Sequence, residues 1–197
     1  MAKEEWIKNL TKKHGDLLVR LARKTISKEL GESVEDSSLD DEIAKEEILN
    51  KKAGVFVTLL KNGELRGCIG TIMPEKSIIE GVKENAINAA FNDPRFPPLS
   101  KKELKDIKIE VSVLTPPKKL DYQGPEDLLK KIRPNVDGLI IQKGFSKATF
   151  LPQVWEKLPN PEDFLTHLCF KAGLPGSIWK TEPLEVYTYE VVAFEED

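Results

Sequence analysis

The stretch Val55-Phe56-Val57-Thr58-Leu59-Leu60-Lys61-Asn62-Gly63-Glu64-Leu65-Arg66-Gly67-Cys68-Ile69 reads as a β-hairpin. Its first six residues are β-branched or apolar, which suits a pleated strand. Asn62-Gly63 fits a two-residue turn with positive φ at both positions, and the chain then returns over Glu64 to Ile69. A further strand lies at Ile107-Lys108-Ile109-Glu110-Val111-Ser112-Val113, where apolar and polar residues alternate without a break. Such alternation places one face in a core and one in water, as in an antiparallel sheet covered on one side.

Working outward, helical patterns flank these strands. Asp16 to Leu30 carries an apolar stripe of Leu17, Leu18, Leu21, Ala22, Thr25 and Ile26, with Asp16 as cap and Gly31 as stop. Glu32 to Asp41 reads as an acidic surface loop, and a short helix is expected around Glu42–Leu49. Ser77-Ile78-Ile79-Glu80 has capping-box form and opens a helix to about Phe91, which Asp93-Pro94 breaks. Ser100-Lys101-Lys102-Glu103 is a second capping box, opening one turn. A short helix over Glu126 to Ile132 and a strand at Leu139-Ile140-Ile141-Gln142 follow. Thr149-Phe150-Leu151 pairs back with that strand across Gly144. Asn160 caps a helix that begins at Pro161 and stops at Gly173-Leu174-Pro175, and Leu184 to Phe194 reads as a last strand. No regular βαβ alternation is present. The expected fold class is therefore α+β: a mostly antiparallel β-sheet flanked by helices.

A chain of 197 residues is long enough to bury a sizeable core without covalent staples. The 33 acidic residues outnumber the 30 basic ones, which argues against a protein built to grip a phosphate backbone. Two cysteines, Cys68 and Cys169, cannot form a secreted disulfide framework, so both are read as reduced thiols. No apolar run reaches the length of a membrane span, and Met1-Ala2-Lys3-Glu4-Glu5-Trp6 lacks the apolar stretch of a signal peptide. The expectation is a cytoplasmic protein with no membrane partner. Neither a phosphate-binding loop nor a dinucleotide fingerprint is found. His167 and Cys169 are spaced i, i+2 on one helix and point apart, so no metal site is expected, and no cofactor is implied.

Arg66-Gly67-Cys68-Ile69-Gly70 is the chemically informative run. Two glycines flank one thiol near the end of a strand, and glycine permits close approach of another chain segment. If the strand persists through Cys68, alternation puts Arg66 on the same face, where a guanidinium would stabilise a thiolate and bind an anionic group. The plainer reading stands beside it: a buried free cysteine acting as a small hydrophobe, with glycines that only permit tight packing. Asn92-Asp93-Pro94-Arg95-Phe96-Pro97-Pro98 is a stiff loop that would present Asp93 and Arg95 to a ligand, or else stop a helix with a local ion pair.

The run Leu65-Arg66-Gly67-Cys68-Ile69-Gly70-Thr71-Ile72 resembles the signature of the AMMECR family, named for the Alport syndrome, midface hypoplasia and elliptocytosis chromosomal region. Gly54–Leu59, Asp93–Pro98, Glu110–Leu114, Asp137-Gly138-Leu139, Leu151–Val154 and Lys171–Pro175 resemble the family pattern as well. The resemblance implies an α+β architecture with a larger and a smaller lobe, with residues 1–197 as a single domain of that type or as two lobes sharing one core. It implies a functional centre that maps onto Arg66 and Cys68, without naming a reaction. Family members occur beside, or fused to, Memo-like and radical-SAM proteins, which implies a shared pathway. Two functions follow as expectations. One is an enzyme with Cys68 as nucleophile and Arg66 and Arg95 on an anionic substrate. It lacks a nearby histidine and would need Asp93 or Glu110 as base. The other is a binding or adaptor module for a protein or small-molecule partner, whose recognition surface is the Arg66–Ile72 region and the Asp93–Leu99 loop, with Arg66, Gly67, Gly70, Asp93 and Arg95 as binding residues.

Overall fold

The computed structural model describes residues 5–33 and 36–196. The first four residues of the N-terminal stretch, and Val34 and Glu35 of the acidic loop, lie outside the described residues. The chain divides into two compact units. The larger holds the described residues up to Pro116 together with those from Val192 on; the smaller is Pro117–Val191.

In the larger unit, strands β1 (Gly54–Lys61), β2 (Glu64–Thr71), β3 (Ile107–Leu114) and β8 (Val191–Glu195) form a sheet in the order β2-β1-β3-β8. Both β2 and β3 pair antiparallel with β1. The expected hairpin forms as read, with Asn62 at φ 54° and Gly63 at φ 79° in its turn. One face of this sheet is apolar and covered. Val55, Val57, Leu59, Ile109, Val111 and Val113 are fully buried there. Helices α1 (Lys12–Glu29) and α3 (Ile78–Phe91) supply the opposing surface, with α3 against β1 and β2 and α1 against α3.

Several boundaries differ from the sequence reading. α1 starts at Lys12 rather than at Asp16, because the Thr11 N–H donates to His14 Nδ1 at 3.0 Å and satisfies the exposed first turn. The region expected as one short helix is α2 (Leu39–Ala44) followed by a separate 3₁₀ turn at Glu47–Asn50. The Ser100 box forms as read, with Ser100 N–H donating to Glu103 Oε2 at 3.1 Å, and opens into turns. The single final strand is instead two, β7 (Glu185–Tyr189) and β8, divided at Glu190 and serving different sheets.

The smaller unit has its own sheet, β4-β7-β5-β6, from β4 (Lys118–Lys119), β5 (Gly138–Lys143), β6 (Ser146–Phe150) and β7, with antiparallel pairing throughout. Helices α4 (Gly124–Lys131), α5 (Pro161–Lys171) and α6 (Ile178–Thr181) complete it. Asn160 caps α5 as expected, its Oδ1 accepting from Glu162 N–H at 2.8 Å and Asp163 N–H at 3.3 Å. Its core is separate and centres on Trp155 and Phe164, stacked 3.7 Å apart, with Leu139, Ile141, Leu165 and Val186 fully buried around them. The Trp155 Nε1–H donates to the Asp137 carbonyl at 2.8 Å, so its one polar group is satisfied in the core.

Gly67 marks the point where α3 meets the sheet. A Cβ added there would lie 2.2 Å from the Ala89 carbonyl oxygen, a backbone atom of α3. Gly67→Ala is therefore expected to destabilise the fold by about 1–3 kcal/mol, the usual cost of overpacking a tight contact. Urea unfolding would check this, and a change below about 0.5 kcal/mol, within the range of a neutral surface substitution, would refute the packing role.

Candidate functional site

The hairpin carries a β-bulge that rearranges the Arg66–Gly70 run. Counting back from the turn, Lys61 pairs with Glu64 and Leu60 with Leu65, but Leu59 pairs with Gly67 and Thr58 with Cys68. Arg66 is the extra residue. It consequently does not share a face with Cys68, contrary to strict alternation. Arg66 turns towards the side of Leu59 and Lys61, where both it and Lys61 hold Glu103. Its Nε donates to Glu103 Oε1 at 3.1 Å. Its Nη2 donates to Glu103 Oε2 at 3.2 Å and to the Pro97 carbonyl at 2.9 Å. Arg66 is only 8% exposed, and its buried Nη1 has no hydrogen-bond partner.

Cys68 lies on the opposite face, in a row with its register partner Thr58 and, across β1, Glu110. The Thr58 hydroxyl donates to Cys68 Sγ at 3.3 Å. Glu110 accepts from the Ser112 hydroxyl at 3.2 Å. Burial pushes the Cys68 thiol above its ordinary pKa. The Thr58 hydrogen bond and the Arg95 charge act the other way, and the Glu110 and Asp93 charges add to the upward shift. Desolvation outweighs the Thr58 hydrogen bond and the Arg95 charge, which favours the protonated thiol. Gly70 is also a packing glycine: a Cβ there would fall 2.2 Å from Cγ of the Phe56 ring.

β2 is an outer strand of its sheet, and the loop after α3 covers it at Cys68. Asp93, 3% exposed, accepts the Cys68 backbone N–H at 2.9 Å through Oδ2. Arg95 donates to the Cys68 carbonyl at 3.1 Å. The two side chains bind each other through Arg95 Nε to Oδ1 at 2.9 Å and Nη2 to Oδ2 at 2.7 Å, and the Arg95 backbone N–H also reaches Oδ1 at 3.1 Å. The Arg95 guanidinium holds the Asp93 carboxyl far below the usual carboxylate range, with the Cys68 and Arg95 backbone N–H groups adding to the effect. Glu103 is held low likewise, first by Arg66. Sequence reasoning proposed Arg66, Cys68, Asp93, Arg95 and the loop carrying Phe96 as one site, but missed Thr58 and Glu103. The Ser100-x-x-Glu103 spacing was the one visible signal for Glu103, and it pointed to a helix start.

Among the described residues, no group of three or more His, Cys, Asp or Glu is arranged to hold a metal ion, and no helix is long and apolar enough to cross a membrane. A separate concavity of about 410 Å³ lies in the smaller unit, lined by residues including Tyr122, Pro125, Trp179, Lys180 and Pro183. No sequence signal marked it.

A family profile described as AMMECR1 matches residues 19–194, taking in the bulged hairpin, the Asp93–Pro98 loop and both sheets. The chain belongs to the AMMECR1 family. Protein MK0488 of Methanopyrus kandleri is 43% identical over 198 residues, covering 95% of this chain and 91% of that one. A protein of Methanothermobacter thermautotrophicus is 42% identical over 189 residues, covering 95% and 97%. The crystal structure of Uncharacterized Protein PH0010 from Pyrococcus horikoshii superposes with a TM-score of 0.81 at 38% identity, covering 99% of this chain and 93% of that one. The PH0010 structure agrees with the α+β expectation, and the names of these relatives leave the activity open.

The Asp93 clamp sets a pH dependence. A carboxyl whose folded pKa is depressed contributes stability above its unfolded value of about 3.9, and that contribution is lost as pH falls towards the folded value. Asp93→Asn is expected to cost about 2–4 kcal/mol at pH 7, since it breaks a buried charge-assisted network. The gap to the parent protein should narrow as pH falls below about 4. Chemical denaturation at a series of pH values reads both quantities; a gap that stays constant down to pH 2 would show that the carboxylate charge is not the source.

Proposed function

We propose that this AMMECR1-family protein is a non-enzymatic binding module for a protein partner, with the Cys68 stretch of β2 and the Asp93–Pro98 loop as its recognition surface. One observation carries the reading: two of the charged groups that a cysteine nucleophile would use, Asp93 and Arg66, are already engaged. The Asp93 carboxylate accepts from Cys68 N–H and from three donors of Arg95, so it has no capacity left as a base. Arg66 is committed to Glu103 and the Pro97 carbonyl. His14 is bonded to Thr11 and Glu46. What the loop does offer is a stiff, exposed surface of Pro94, Arg95, Pro97 and Pro98 beside a half-buried Phe96. Such a surface binds without a large ordering cost.

The competing reading is a cysteine-dependent enzyme in a pathway with Memo-like and radical-SAM proteins. It draws support from the Thr58 hydroxyl on Sγ and the nearby Arg95 charge, both of which favour a thiolate. Burial outweighs them. Alkylation of each thiol in the folded chain against pH, read by peptide mass, separates the two readings. The binding-module reading expects Cys68 to react slowly, with a midpoint above the free-thiol value of about 8.5. It also expects Cys68→Ser to leave partner capture by a photoreactive group at Pro98 unchanged. A Cys68 midpoint well below that value would make the enzyme the better reading.

A further inference from the structure

In the smaller unit, the chain places one of its own lysines where a cationic ligand would sit. The concavity of about 410 Å³ beside Tyr122 and Trp179, and a second of about 470 Å³, share Gly124, Pro125, Trp179 and Lys180 as walls. The Lys180 ammonium lies 4.9 Å from the centroid of the Trp179 ring and donates to Glu162 Oε2 at 2.7 Å. An ammonium on an indole face is attracted by the ring quadrupole, and the carboxylate adds a charge-assisted hydrogen bond. Both partners of the ion pair are about half exposed, Lys180 at 49% and Glu162 at 52%, so the pair is weak and open to exchange. The aromatic walls, by contrast, are pinned. The buried Trp179 donates its Nε1–H to Thr166 Oγ1 at 3.2 Å, and the Tyr122 hydroxyl donates to the Leu184 carbonyl and accepts the Leu184 N–H, both at 2.9 Å.

Charge complementarity decides the kind of occupant. The Asp121 and Glu126 carboxylates stand on these walls without a hydrogen bond or ion pair to another described residue. Glu182 is bound by Lys143, and Lys119 is the other cation among the lining residues. With Lys180 swung out, acids outnumber bases around an aromatic cavity. We propose that this cavity docks a lysine side chain of a partner protein, whose ammonium replaces that of Lys180 between the Trp179 ring and Glu162. Its alkyl stem lies along the apolar wall at Pro125, as lysine stems do on apolar surface while the charged head stays polar. Every residue invoked belongs to Pro117–Val191, so failure of this docking site would leave the reading of the Cys68 surface untouched.

The test uses the full chain, isotope-labelled, at low salt. The probe is the blocked tripeptide Gly-Lys-Gly, with its norleucine analogue as the neutral control and n-butylammonium as a free amine. The lysine tripeptide is expected to shift the Trp179 indole N–H resonance and leave those of Trp6 and Trp155 in place. Trp6 controls for general attraction of cations to indoles, because Lys51 lies 5.1 Å from its ring centroid in the larger unit. Lys180→Ala removes the internal occupant and should tighten binding roughly fivefold, the combined worth of an exposed cation–π contact and an exposed ion pair. A purely structural Lys180 gives no such gain. Glu162→Gln added to Lys180→Ala should weaken binding again. The Trp155 indole, bonded to the Asp137 carbonyl in the core, reports an intact fold in each variant by keeping its resonance. An equal response to the norleucine analogue, no response of the Lys180→Ala chain at millimolar tripeptide, no tightening on Lys180→Ala, or an equal shift at Trp6 would overturn the proposal. n-Butylammonium binding as tightly as the tripeptide would overturn the assignment to a protein segment.

Discussion

The hydrogen bond from the Cys68 backbone to the Asp93 carboxylate is the constraint around which the site is organised. Cys68 lies on an outer strand, where backbone N–H and C=O groups lack a neighbouring strand. Unpaired strand edges invite pairing with other chains, and proteins cover them. Here the cover is two side chains rather than a strand. Asp93 accepts the N–H, Arg95 donates to the C=O, and the two bind each other. The buried carboxylate is tolerated because four donors surround it.

That arrangement gives three features singled out in the sequence a structural partner. The carboxylate near the thiol is a strand cap. The guanidinium two residues before the thiol is displaced by a bulge onto Glu103. The two glycines make room, Gly67 for the Ala89 carbonyl of α3 and Gly70 for the Phe56 ring. What remains outward is the half-exposed Arg95, the partly buried Phe96 and three exposed prolines, the surface proposed above for recognition. Preorganisation of this kind serves recognition by reducing the entropy lost on binding.

The sequence alone determined the α+β class, the hairpin with its Asn62-Gly63 turn, the alternating strand at Ile107–Val113, and the Ser77 and Asn160 caps. These rest on local physics: side-chain periodicity, backbone dihedral preference, and side chains that satisfy the first N–H groups of a helix. Tertiary structure alone decided the one-residue shift at Arg66. A count from the turn without it pairs Thr58 with Gly67, whereas the bulge brings Thr58 to Cys68 and sends Arg66 to Glu103. It also decided where the last strand divides, since β7 and β8 pair with β5 and β3, partners far away in sequence. The thiol's chemistry belongs to the same class of unknowns. Its proton affinity depends on how much water burial removes, and that is set by how distant segments pack around it.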